Sequence, residues 1–233
     1  MSHGLQFQSS YTWAKTIDET QGQLPADQTG TPVTSTHREL DRGPAEFDIT
    51  HNWRFNTIYR LPAFSSNGAR AKVLNGWWMS GIVSLRSGYP FSPGLSSDRA
   101  RKRGGANRPD LVAGRTPGDI ILGTRERYFD PAAFSIQQIG TLGNVGRNIL
   151  RGPGLANLDF SLAKDTAFGF LGESRKLEFR ADAFNILNRV NFGNPSSNVY
   201  AGQRDVEVPL ATAGQIVSAR TARQLQFSLR MMF

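Results

Sequence analysis

The chain has 233 residues, no cysteine and a formal net charge of +8, with a sequence pI of about 10.3. Without cysteine, neither a disulfide framework nor a thiolate metal site can form. Mean hydropathy is −0.38 and no long apolar run occurs, which excludes a transmembrane helix but not a transmembrane barrel, whose strands expose only alternate residues to lipid.

The 24 glycines, 12 prolines and 15 phenylalanines favour turns and strands over helices. Residues 3–16 alternate, with Leu5, Phe7, Tyr11 and Trp13 against Gln6, Gln8, Ser10 and Thr12, the period of a strand with one apolar face. A polar connection near 17–46 follows. The pattern resumes over 47–62, setting Phe47, Ile49, Trp53, Phe55, Tyr59 and Leu61 against Asp48, Asn52, Arg54, Asn56 and Arg60. Ser65-Ser66-Asn67-Gly68 marks a short turn before a third strand at 77–89, with Trp77, Met79, Val83 and Leu85 opposite Trp78, Ser80, Ser84 and Arg86. The longest connection, near 90–154, is rich in Gly, Pro, Asn and Arg. A fourth strand at 155–164 and a fifth at 176–187 flank a brief turn containing Gly169 and Gly172. The third long connection, near 188–221, leads to a strand at 223–233 that carries Leu225, Phe227, Leu229, Met231 and Phe233 on one face and Gln224, Gln226, Ser228 and Arg230 on the other.

The expected fold is therefore all-β, an antiparallel meander of six long strands. Its connections alternate long, short, long, short, long, so every long loop falls at one end. A soluble sandwich has no reason to sort loops this way, whereas an outer-membrane barrel has short periplasmic turns and long external loops. The charges agree: Asp48, Arg54, Arg60, Arg86, Asp159, Glu178, Arg180, Asp182 and Arg230 all alternate with the large apolar residues. Of these, Asp48, Arg54, Arg60, Arg86, Glu178, Arg180, Asp182 and Arg230 are candidate lumen residues facing ligand or plug. Lys15, Lys164 and Arg223 break the rule at expected strand ends, and His51 falls on the apolar face. Tyr11 and Trp13 at the loop end, with Tyr59, Trp77, Trp78 and Phe233 at the turn end, form two expected interfacial girdles. The sequence thus reads as an incomplete segment of a transmembrane β-barrel. The alternative is a secreted or surface all-β module for adhesion or carbohydrate binding.

No constellation for bond chemistry is apparent. His3, His37 and His51 have no metal-ligand spacing, and neither Gly-x-Ser-x-Gly nor a P-loop occurs. Glu178 and Asp182 share a strand face about 13 Å apart at roughly 3.3 Å per residue, too far for a retaining or inverting glycosidase pair. An outer-membrane hydrolase thus ranks last, and neither enzymatic activity nor a cofactor is expected. The basic run Arg99-Ala100-Arg101-Lys102-Arg103 has no interleaved aromatics. It reads as a solvated loop, or one attracted to anionic lipopolysaccharide, rather than as a nucleic-acid surface.

Several segments, in order, resemble the C-terminal barrel of the Oar-like TonB-dependent outer-membrane transporters. They are residues Gly4 to Lys15; Asp41-Arg42-Gly43-Pro44 with Phe47-Asp48-Ile49-Thr50-His51; Gly76 to Ile82 with Ser87-Gly88-Tyr89-Pro90-Phe91; Gly146 to Gly154; and Leu177 to Asn188. The resemblance spans nearly the whole chain. It implies a barrel of about 22 strands around a plug, driven by the inner-membrane TonB complex, with ligand captured by the long loops. It also implies that Phe233, with Phe227, Leu229 and Met231, is the signal read by the barrel-assembly machinery. Further partners implied are outer-membrane lipid, and the plug and TonB through an N-terminal part. The first residues lack the basic start and apolar core of a signal peptide, so the chain is expected to be the C-terminal part of a longer transporter.

Overall fold

The computed structural model describes residues 4–19, 33–34, 37–64, 68–102, 107–168 and 175–232. Six strands dominate: β1 (Leu5–Trp13), β2 (His51–Arg60), β3 (Trp77–Arg86), β4 (Leu155–Phe168), β5 (Arg175–Phe184) and β6 (Gln224–Met232). They form one antiparallel sheet in sequence order, with β1 and β6 at its edges and the barrel not closed.

Register keeps the two faces separate across all six strands. Phe7 lies opposite Thr57, Phe55 opposite Val83, Val83 opposite Leu158, and Leu162 opposite Ala181, which meets Phe227. The other face aligns Ser80 with Ser161, Ser161 with Asp182, Asp182 with Gln226, and Glu178 with Arg230. A slip of one residue would exchange these faces, so the alternation itself fixes the pairing. The apolar face stays uncovered: Phe7 is 66% exposed, Phe227 68% and Leu229 68%. The other sheets among the described residues are two-stranded and belong to the connections, so no second sheet makes this a sandwich.

Several strand boundaries differ from the sequence reading; the first and third strands end at Trp13 and Arg86 rather than at 16 and 89. The second strand starts at His51 rather than at 47, because Asp48 N–H donates to the Ala45 carbonyl at 2.9 Å and turns the chain. The fourth continues to Phe168, 14 residues in all, and Lys164 is therefore internal to it. The fifth ends at Phe184, after which Asn185 takes a positive φ of 51° and bonds back to Arg189. A helix, Ala69–Leu74, also occupies the first short connection, where only turn chemistry was apparent. Residues 65–67 and 169–174, to which the remaining turn signals belong, lie outside the described residues.

The long connections do not spread into solvent separately. Residues 87–154 and 185–223 share an apolar core, in which Phe91, Leu95, Ile120, Phe129, Phe134, Val145 and Leu150 meet Val199 and Tyr200. The Phe129 ring packs tilted on Phe91 at 5.9 Å and edge-on to Phe134 at 6.0 Å. The Tyr200 hydroxyl donates to the Phe134 carbonyl at 2.6 Å. This cap sits at the loop end of the sheet.

Candidate functional site

Seven of the eight candidate lumen residues lie on the polar face of the sheet: Arg54 and Arg60 on β2, Arg86 on β3, Glu178, Arg180 and Asp182 on β5, and Arg230 on β6. Asp48 does not. It lies ahead of β2 with its side chain fully buried, accepting from the Thr16 N–H at 2.6 Å and pairing with the Arg151 guanidinium. Its alternation with Phe47 and Ile49 was a coincidence of a turn. In the turn-end half of the face, charges answer one another. Arg180 donates to Asp182 at 2.8 Å, Asp182 also bonds the Ser161 hydroxyl, and Lys176 bridges Asp165 at 2.8 Å and Glu178 at 3.6 Å.

The apolar face carries two aromatic belts. Tyr11, Trp13 and Trp53 stand at the loop end, Tyr59 and Trp77 at the turn end. Trp53 and Tyr59 are separated by about 20 Å at ~3.3 Å per residue, close to the ~25 Å apolar band of outer-membrane barrels. Trp78 is not in the belt: it points to the polar face, under the Arg180 guanidinium at 5.8 Å from its centroid. Lys164, on the apolar face, lies over the Trp77 ring at 5.3 Å and reaches the Asn75 carbonyl at 2.7 Å. Its aliphatic stem stays with the apolar surface while the ammonium escapes it. His51 is the first residue of β2 at the loop rim, where its Nδ1 lies 2.8 Å from the Tyr11 hydroxyl. Phe227, Leu229 and Met231 all lie on the exposed apolar face of β6; Phe233 lies outside the described residues.

Beneath the cap, the segments on which the resemblance rests meet one another. The Arg147 side chain, 1% exposed, pairs with Asp18 and donates to the Asp41 carbonyl at 3.2 Å. Asn148 donates to the Pro44 carbonyl at 2.7 Å, and its Oδ1 accepts from the Ser92 hydroxyl at 3.0 Å. Arg151 joins Asp48 to the Gly88 carbonyl, while Leu150 and Arg151 pair with Phe91 and Pro90. Gly88 is required here, since a Cβ would stand 1.8 Å from the Gly152 carbonyl oxygen.

The basic run is only partly a solvated loop: Arg101 is exposed, but Arg99 and Lys102 are engaged. Arg99 is buried, donating to the carbonyls of Gln137 at 2.5 Å and Arg204 at 2.8 Å and to Asp205 at 2.8 Å. Lys102 donates to the Val33 carbonyl at 2.5 Å, and burial pushes its ammonium below the usual lysine range. Arg103 lies outside the described residues. Arg108, lowered by the same cause, holds Asp41 at 3.2 Å. These buried arginines escaped the sequence reading; glycine or proline beside Arg108 and Arg147 was the one local sign that backbone had to pass close to them.

Where the cap meets the polar face there is a cavity of about 400 Å³, walled by Asn52, Arg54, Arg86, Asn157 and Asp159 and closed from the cap side by Asn191 and Arg220. Arg86 donates to the Tyr89 hydroxyl at 2.9 Å. Asp159 accepts from Asn157 and from the Asn185 N–H at 2.7 and 2.8 Å.

A family model described as an outer membrane beta barrel domain matches residues 1–226. The chain belongs to this family. No curated protein and no solved structure matches it. As an outer membrane beta barrel domain it resides in the outer membrane, which accounts for an apolar face left open between two aromatic belts. The cap formed by the long connections stands at one end of the sheet, and the helix Ala69–Leu74 of the first short connection stands at the other. Among the described residues there is no cluster of His, Cys, Asp or Glu suited to a metal ion.

Proposed function

We propose that the chain is the C-terminal barrel portion of an Oar-like TonB-dependent receptor, which takes up a ligand too large or too scarce for porins. The observation that carries this reading is the meeting of the Asp41–Pro44, Ser87–Phe91 and Gly146–Gly154 segments at one junction under the cap. These three are among the segments that resemble that group of transporters, and in this chain they pack against one another. On this reading the cap captures ligand outside the cell, and the polar face, with Arg60, Glu178, Arg180, Asp182 and Arg230, lines the plug. The chain performs no bond chemistry. Its remaining partners are lipid and lipopolysaccharide around the apolar belt, the barrel-assembly machinery at β6, and TonB through the plug-bearing part of the polypeptide.

The test uses the full-length protein in its native envelope. It should fractionate with the outer membrane and cross-link to TonB, and the cross-link should increase when the cap is occupied. An outer-membrane protein that never cross-links to TonB under energised conditions would instead be a passive channel or a structural protein.

A further inference from the structure

We propose that the loop-end cavity binds a carboxylated sugar. This deepens the receptor reading and rests on it for the direction of transport, though not for the chemistry of the site.

Charge is distributed unevenly along the polar face. The turn-end carboxylates Asp165, Glu178 and Asp182 each have a cationic partner on the same wall. At the loop end the balance is reversed. Arg54, Arg86 and Arg220 converge on the cavity against the single carboxylate Asp159, whose Oδ1 already receives two donors. Arg54 and Arg220 make no side-chain hydrogen bond to the described residues, although each has five N–H donors in a planar fork. Two such forks, one on the wall and one on the cap, provide bidentate geometry for carboxylate from two directions.

The other groups indicate what carries the carboxylate. Asn52 lies beside Arg86 in one cross-strand row, and its carboxamide makes no hydrogen bond to the described residues. Gln224, whose carboxamide likewise makes none to the described residues, borders the cavity opposite Phe184. Free carboxamides both donate and accept, as hydroxyl groups require. Phe184 is 43% exposed although it lies on the polar face. An apolar ring among amides suits the C–H face of a pyranose. A bare inorganic anion would use the guanidinium groups but neither the amides nor the ring. A neutral sugar would leave three cations facing the single carboxylate of Asp159, whose Oδ1 already receives two donors.

The experiment titrates trigalacturonate, maltotriose and inorganic phosphate. It uses the 233-residue chain in detergent micelles and, in parallel, the full-length protein extracted from outer membranes, so that a variant that folds poorly in micelles is still measured. Strand content is checked by circular dichroism. Trigalacturonate should bind, maltotriose should bind at least tenfold more weakly, and phosphate should not displace the acidic sugar at equal concentration. The double variant Arg54→Gln/Arg220→Gln should weaken trigalacturonate at least tenfold, whereas Arg70→Gln/Lys72→Gln, the same charge change on the turn-end helix, should leave it unchanged. Equal binding of maltotriose, an unaffected double variant, or displacement by equimolar phosphate would each overturn the inference. A full-length protein that cross-links to TonB yet ignores trigalacturonate removes this site and leaves the receptor standing. Selective binding without any TonB cross-link does the reverse.

Discussion

Leu229 and Arg230 are neighbours with opposite fates. Leu229 pairs with Phe179 on the lipid face and Arg230 with Glu178 on the polar face. An arginine on the lipid face is disfavoured, by about 2–4 kcal/mol at the midplane and less toward the interfaces, whereas lumenal substitutions are tolerated. Leu229→Arg in the full-length protein should therefore strongly reduce the folded, heat-modifiable species in outer-membrane fractions, and Arg230→Leu should hardly change it. The opposite result would mean that the faces are reversed. Arg147 makes a different prediction. Removing it leaves the partly buried Asp18 carboxylate and the Asp41 carbonyl without their donor, a destabilising change whose upper bound is the roughly 3–5 kcal/mol of a fully buried pair. Arg147→Ala should make the cap sensitive to protease while the strands stay protected, and Arg70→Ala should do neither. The faces of Leu229 and Arg230 were legible because strand alternation is a local property. Arg147 was not, because its partner Asp18 lies 129 positions away and no period connects them.

The strand centres followed from the pattern, but their ends depended on what the connections do. β4 runs on past the expected stop because Asp165 to Phe168 pair with Arg175 to Glu178, a hairpin contact that alternation does not reveal. The cap, read as loops, is an element in its own right, and its acid response should differ from that of the sheet. Burial opposes ionisation of Glu207, yet the N–H groups of Gly202, Arg204 and Gln203 hold its carboxyl below the usual range. Bonding from the Thr116 hydroxyl and backbone N–H does the same for Asp119. With folded-state values depressed, the unfolded cap binds more protons as pH falls below about 4.3. The stabilisation is complete above that value and disappears as the pH drops through the folded-state values. Hydrogen exchange measured from pH 6 to pH 3 should show protection lost in residues 107–151 and 196–216 before it is lost in β3, β4 and β5. Simultaneous loss would mean that the cap has no separate acid response.

As a whole, the molecule is a wall with two free edges. β1 and β6 are its edge strands, and each exposes a row of backbone groups not paired within the sheet, which template association unless another strand covers them. With an uncovered apolar face added, the isolated chain should be insoluble without detergent or urea. A monomeric, detergent-free sample with cooperative unfolding would contradict both the edge assignment and the lipid face. The sorting of long and short connections to opposite ends was legible from their lengths alone. The fusion of the connections into one cap was not, since it depends on Val199 and Tyr200 meeting a core contributed by residues 91–150.

That unequal attachment bears on how such a protein could be recombined. The second connection brings most of its own core and the third adds Val199 and Tyr200 to it, so a chimaera that exchanged either alone would inherit half of an apolar interface. The described residues of the first connection are joined by polar contacts, through Asp18, Asp41 and Asp48 to Arg147, Arg108 and Arg151. A foreign segment that kept those three carboxylates in place could be grafted there, which makes it the natural point for altering what this end of the sheet presents without rebuilding the cap.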